Sequence, residues 1–225
     1  MVKLYQKIKQ KIKENYFLFA ILVNLKDYFF YFLNKASGYQ YTKIQFYKRL
    51  GYPLNLKNPQ SYNEKLVWKK IYDRNPLLPV TTDKYKVRSY LRKVLGEEKA
   101  EKILIPVLYV TDKPETIPFE RLPSSFIVKP NHSSGRKIIV KNGHFNQKEI
   151  IRTCRRWLKT SYGLDKLEWA YQHIKRKIVI EELLFEDGGK ILKEFLFHMF
   201  HGKCKLVSVV CDRMKNPLMS YYDEA

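Results

Sequence analysis

Lys129 stands where an apolar run, Phe126 to Val128, gives way to a polar loop containing His132, Ser133, Ser134 and Gly135. A cation at a strand end, followed by small residues, aims one charge and several backbone N–H groups at a phosphate. Glycine permits close backbone approach, and serine hydroxyls add donors. A second apolar run, Ile138 to Val140, follows, so the same segment also fits a plain hairpin loop with a lysine beside it. It is neither a P-loop nor a dinucleotide fingerprint, because GxxxxGK[ST] and GxGxxG are absent.

Other chemistries find less support. Cys154, Cys204 and Cys211 are odd in number and lack CxxC spacing, which argues for reduced thiols in a cytoplasmic protein and against a disulfide framework or zinc site. His198 and His201 fall in a strand-like run, where a spacing of three puts them on opposite faces. No DxD occurs, so the metal motif typical of sugar-nucleotide glycosyltransferases is missing.

The elements that must position Lys129 can be read around it. The chain has 225 residues, 45% of them hydrophobic, enough for one large or two small domains. Ser61, with Glu64 three residues on, opens a helix over NEKLVWKKIYD as a capping box. Thr82 or Asp83 starts a second helix that Gly96 closes. Ile105 to Val110 reads as a strand, Gln147 to Thr160 and Leu167 to His173 as helices, and Lys177 to Leu184 as a strand whose apolar alternation ends at Glu181 and Glu182. Phe195 to Phe200 and Lys203 to Val210 are predicted to pair as a hairpin across His201-Gly202.

Residues 1–57 form a different kind of region. The formal charge is +21, and over the first sixty residues Lys3, Lys7, Lys9, Lys11, Lys13, Lys26, Lys35, Lys43, Lys48, Arg49 and Lys57 face only Glu14 and Asp27. Basic residues mixed with aromatics favour an anionic membrane surface over nucleic acid, for which no zinc-finger, RRM or KH signature appears. Residues 3–13 read as a basic helix. In the apolar stretch Tyr16 to Leu33, Asn24, Lys26 and Asp27 leave runs shorter than the ~20 residues of a bilayer span. Positions 18, 21, 22, 25, 28, 29 and 32 recur at helical spacing, which fits an interfacial helix, a helix packed on the protein body or a signal anchor.

The order of segments resembles the ATP-grasp superfamily: Asp83-Lys84 at a helix start, a strand, the FIVKP strand with its loop, a helix, Ile178-Val-Ile-Glu-Glu, and Glu194 on a later strand. Over residues 58–225 the wording is similar to the TupA-like ATP-grasp family, named for teichuronopeptide synthesis. The matching pieces are NPQSYNEKLVWKKIYDRNP, TTDKYKVRSYL, LPSSFIVKPNHSSG, EWAYQHIKRKIVIEELL, KEFLFHMFHGK and DRMKN.

The resemblance implies an α+β fold with two lobes around an ATP cleft, behind a helical amino-terminal region. It implies that Lys84 and Lys129 contact the phosphates and that Ser133, Ser134 and Gly135 cover them. Glu181, Glu182, Leu183 and Leu184 would form the hinge that reads adenine, Glu194 would take the ribose hydroxyls, and Arg213 would be a phosphate or acyl-phosphate contact. Leu196 stands where the family tends to carry a lysine. The family's Mg²⁺ ligands come from later strands, so the expectation is a chain that lacks its carboxyl-terminal part and has no metal ligands of its own. The implied activity is carboxylate–amine ligation through an acyl phosphate, on a cell-envelope glycan or peptide polymer at the inner membrane face. A glycosyltransferase of surface polysaccharides and a basic nucleic-acid binder are the alternatives.

Overall fold

The computed structural model describes residues 16–186, 190–211 and 218–223. The basic segment 3–13 lies outside them. The chain divides into two compact units, Met1–Glu182 and Leu183–Ala225, and mixes helix with antiparallel sheet, an α+β architecture.

In the first unit, helix α1 (Tyr16–Ala36) leads to α2 (Gln40–Leu50), α3 (Tyr62–Tyr72), α4 (Leu77–Thr82), α5 (Lys86–Leu95) and α6 (Glu97–Ile103). Strands β1 (Val107–Thr111), β2 (Phe126–Pro130) and β3 (Ile138–Val140) follow, then α7 (Gln147–Lys159), α8 (Trp169–Gln172) and β4 (Ile178–Glu182). The sheet order is β1-β4-β2-β3, with antiparallel neighbours. Alternation sends Phe126, Val128, Ile178 and Ile180 to one face, where they are fully buried against Ile150, Cys154 and Trp157 of α7. Burying one such side chain contributes roughly 1.5–3 kcal/mol. This layer makes the sheet rigid enough to hold charges on its other face.

The start of α3 follows the sequence expectation, whereas α5 begins at Lys86, later than the expected start at Thr82 or Asp83, because the short helix α4 occupies the chain up to Thr82. Ser61 caps α3, accepting from the Glu64 N–H at 3.2 Å, while the Glu64 carboxylate accepts from the N–H groups of Asn55, Gln60 and Ser61 at 2.9, 3.0 and 2.8 Å. One side chain thus staples the preceding Gly51–Pro59 segment to the helix. These donors hold the Glu64 carboxyl down at about 2. Asp83 accepts from the N–H groups of Tyr85 and Lys86 at 2.8 and 3.2 Å, and Gly96 ends α5 with φ 82°, a conformation open to glycine.

Helix α1 packs on the protein body through its less apolar side. Its buried line is Ala20, Asp27 and Asn34, seven residues apart, whereas Ile21, Leu22, Leu25, Tyr28, Phe29 and Phe32 are exposed. The polar interruptions are the docking contacts: the Asn24 amide donates to the Lys159 carbonyl (2.9 Å) and accepts from Ser161 N–H (2.7 Å), and Asp27 accepts from the Ser161 hydroxyl (3.0 Å). The carboxyl end of α7 leaves backbone groups unpaired, and these side chains satisfy them. Among the described residues no helix is long and apolar enough to cross a membrane.

The second unit pairs β5 (Phe185–Glu186) with β6 (Lys190–Ile191), and orders β7 (Glu194–Phe200), β8 (Lys203–Cys211) and β9 (Leu218–Asp223) into an antiparallel sheet. The β7–β8 hairpin turns at His201 (φ 49°) and Gly202 (φ 79°), the two positive φ angles of a tight two-residue turn. His198 sits on β7, its ring 2.8 Å from the Ser208 hydroxyl.

Candidate functional site

The second face of the first unit's sheet carries the site. Lys129 lies opposite Val179, and Ile127 opposite Glu181, so Lys129 and Glu181 are diagonal neighbours on the face away from the core. Their side chains join, Lys129 Nζ donating to Glu181 Oε2 at 2.7 Å. Glu181 is buried and its other oxygen lies 3.9 Å from Arg88 Nη1, while Arg88 Nη2 donates to the Ile105 carbonyl at 2.7 Å. Glu182, one residue on, leaves the opposite side of β4 and is exposed.

Lys84 comes to the same place from the start of α5. Its ammonium donates to the Ser133 carbonyl, and its backbone N–H to the Asn131 carbonyl at 3.3 Å. Burial pushes the Lys84 pKa down, and the charge of Lys129 pushes it further, against the opposing pull of Glu181 and Asp83. Two ammonium groups and a guanidinium therefore gather around Glu181.

Asn131 locks this arrangement. Its amide donates to Asp83 Oδ1 (2.9 Å) and the Lys175 carbonyl (3.0 Å), and accepts from Lys177 N–H (2.7 Å). The start of α5, the loop after β2 and the segment before β4 are thereby held together through one fully buried side chain. His132 is also buried, donating from Nε2 to the Trp157 carbonyl at 3.1 Å. Burial, then the nearby Arg176, lowers its pKa to about 4, so it is a neutral packed ring. Cys154, in the core, has its thiol pushed up to about 12 by burial and stays protonated.

The loop itself is split. The Ser133 side chain is buried, and its hydroxyl has no hydrogen-bond partner among the described residues. Ser134 and Gly135 are exposed, and Gly135 turns the chain with φ 77° in open space. A buried hydroxyl without a partner is costly, about 1–3 kcal/mol, unless something accepts from it. The exposed loop residues and the clustered cations make this face of the sheet one that favours an anion.

A family model described as TupA-like ATPgrasp matches residues 64–225. The chain belongs to the TupA-like ATP-grasp family. No curated protein and no solved structure matches it. The matched span of this ATP-grasp chain begins at the Glu64 capping carboxylate and contains every residue of the cluster just described.

Of the residues singled out in the sequence, Lys84, Lys129, Ser133 and Glu181 converge, with Ser134 and Gly135 on the same loop. Leu183 and Leu184 open the second unit, half-buried and exposed respectively, and Glu194 begins β7 there, paired with Val210. Leu196, at the position where the family tends to carry a lysine, pairs with Ser208 in that sheet. Arg213 lies outside the described residues. Sequence reasoning missed Arg88 and Asn131, and read Asp83 only as a helix start. The available signal for Arg88 was its place one helical turn after Lys84. Among the described residues no group of three or more His, Cys, Asp or Glu side chains is arranged to hold a metal ion.

Proposed function

We propose that this ATP-grasp chain binds the phosphates of ATP between Lys84 and Lys129, and that it serves an ATP-dependent carboxylate–amine ligation in cell-envelope polysaccharide or peptide-polymer synthesis. The observation that carries the reading is the convergence of two ammonium groups, Lys84 on the Ser133 carbonyl and Lys129 on Glu181 at 2.7 Å, with burial and the Lys129 charge both disfavouring the charged form of Lys84. A phosphate oxygen near both would relieve each penalty at once. Glu181 fixes the Lys129 ammonium against β4, so it is positioned before the nucleotide arrives. Ser134 and Gly135, exposed on the same loop, can approach the anion closely.

Bound ATP would supply a phosphoryl group to a substrate carboxylate, and an amine would attack the resulting acyl phosphate with loss of phosphate. The protein's part in such a transfer is positioning and charge, which is what the Lys84, Arg88, Lys129 set offers. On the same reading Glu182 and the backbone of Leu183 and Leu184 serve adenine, Glu194 the ribose, and Arg213 the acyl phosphate. Mg²⁺ is expected for the family, and no residue described here is assigned to it. The substrate class is a glycan or peptide bearing uronate or glutamate groups.

Calorimetric titration with ATP, with and without Mg²⁺, tests the site on the full chain and on Lys129→Ala, with a UDP-sugar as control. Saturable ATP binding weakened about tenfold or more by Lys129→Ala is the expected result, since one charged hydrogen bond contributes roughly 1.5–3 kcal/mol. Binding at alkaline pH should also take up protons, because phosphate favours the charged form of Lys84 that burial disfavours. A folded chain that ignores ATP and titrates with the UDP-sugar would replace this reading with the glycosyltransferase one.

A further inference from the structure

Helix α1 is oriented by its polar contacts to α7, and that orientation turns its apolar side outward. Ile21, Leu22, Leu25, Phe29 and Phe32 recur at three- and four-residue steps opposite the buried line Ala20, Asp27 and Asn34, and Leu25, Phe29 and Phe32 are each 61% exposed. A helix that packed only for its own stability would bury these and expose the polar line. The reverse has happened, held by Asn24 and Asp27.

Beside this stripe lies a half-open cavity of about 640 Å³, lined by Phe30, Phe46, Leu50 and Leu66 of α1, α2 and α3 and by the cations Lys26 and Arg49, with Lys70, Lys166 and the acidic Asp165 also on its wall. That volume lies within the roughly 300–1,000 Å³ of small-ligand pockets, and its mixed lining suits a molecule with an anionic head and an apolar body. Exposed Lys35 and Lys48 and half-buried Lys43 stand on α1 and α2, and the one acidic side chain of α1, Asp27, is buried, accepting from the Ser161 hydroxyl and lying 3.3 Å from the Lys26 ammonium, which keeps its own side chain largely exposed. The sequence before α1 adds Lys3, Lys7, Lys9, Lys11 and Lys13 against Glu14.

We propose that α1 lies in the surface of an anionic lipid bilayer, its Ile21, Leu25, Phe29 and Phe32 side in the acyl boundary, with the phosphate head group of a lipid held at the Lys26 and Arg49 cavity. Apolar area and cations act together here, the combination that binds a helix in the plane of an anionic membrane. A second copy of the chain is the competing occupant, but pairing two such faces would bring their lysines together with Asp165 the one acidic side chain lining the cavity to offset them. The inference shares no residue with the ATP site, so either can fail alone.

The test is co-sedimentation of the full chain with phosphatidylcholine vesicles, with and without phosphatidylglycerol, and separately with inorganic phosphate as a soluble competitor. The wild-type chain binds the anionic vesicles, and binding falls with salt. Leu25→Ser with Phe29→Ser, at exposed positions that leave the fold intact, weakens it about tenfold or more. Lys26→Glu with Arg49→Glu gives a similar loss on anionic vesicles and none on neutral ones. Competition by inorganic phosphate at the cavity, without vesicle binding, would assign the cations to a soluble anion and overturn the proposal. So would a dimer in sedimentation velocity that Leu25→Ser with Phe29→Ser dissociates while vesicles are ignored. ATP calorimetry on the same variants reads out the nucleotide site separately.

Discussion

The four-stranded sheet of the first unit and the three-stranded sheet of the second have comparable apolar sequences and opposite fates. In β2 and β4 every residue except Lys129 and Glu182 is buried, whereas Phe195, Phe197 and Met199 of β7 are 58, 64 and 57% exposed. The difference is a covering layer: Ile150, Cys154 and Trp157 of α7 lie on one face of the first sheet. A sheet covered on one side can keep a charged pair such as Lys129 and Glu181 at fixed diagonal positions on the other. Apolar alternation alone does not bury a strand, as the exposure of β7 shows.

The largest expected effect breaks the comparison at its core. Phe126→Ala, at a fully buried site, should cost about 3–5 kcal/mol in urea unfolding. Phe197→Ala, at an exposed strand position, should stay within about 0.5 kcal/mol. Amide hydrogen exchange would assign each loss to its own sheet. Equal losses would mean that β7 is covered in solution and the contrast is wrong.

The next effect sharpens the contrast within β4 itself. Glu181→Gln leaves Lys129 and Arg88 without their shared anion in a mostly buried place, and should destabilise by about 3 kcal/mol. Glu182→Gln, one residue away on the other face and exposed, should be close to neutral. Removing Glu181 also removes a charge that supports the protonated form of Lys84, so proton uptake on ATP binding should begin at lower pH.

A smaller effect reads the loop that joins β2 to β3. His132 is neutral in the fold with a pKa near 4, against 6.5 when unfolded. The unfolded chain therefore binds the extra proton between those values. Stability is full above about pH 6.5 and falls as pH drops toward about 4, by roughly 3 kcal/mol in total. His132→Gln should flatten that window in a urea-stability profile against pH, and an unchanged slope would place the titrating group elsewhere.

Which parts were legible in the sequence follows from the range of each signal. The β2 strand, its loop, the capping box at Ser61 and Glu64, α7 and the β7–β8 hairpin are local patterns, and each formed close to where it was read. Helix α4, LLPVTT, went unread because its propensity is poor, and it forms behind Asn75, whose side chain accepts from Leu77 N–H at 2.9 Å. Arg88 and Asn131 were illegible as site residues because their roles exist only when three distant segments meet. Helix α1 was legible as a helix, but hydrophobic periodicity does not say whether the apolar side turns in or out. Asn24 and Asp27 decided that through partners more than a hundred residues away.

The smallest effect lies outside both sheets and serves as their control. The Glu64 carboxyl sits at about 2 in the fold because Ser61 and Asn55 N–H groups, with Gln60, hydrogen-bond its charged form, while an unfolded glutamate titrates near 4.5. The unfolded chain binds its proton first as pH falls, so the contribution of Glu64 is present above about pH 4.5 and is lost as pH drops through about 2. This window opens where that of His132 closes, so one acid titration separates the two. Glu64→Gln should flatten only the lower window and raise exchange at Asn55, Gln60 and Ser61, the three amides it holds. The amides of β2 and β4 should keep their protection, since their shielding comes from α7 and not from the cap. If β2 loosened along with the cap, α3 and the sheet would have to unfold as one cooperative body, and the rigidity of the site could no longer be credited to the covered sheet alone.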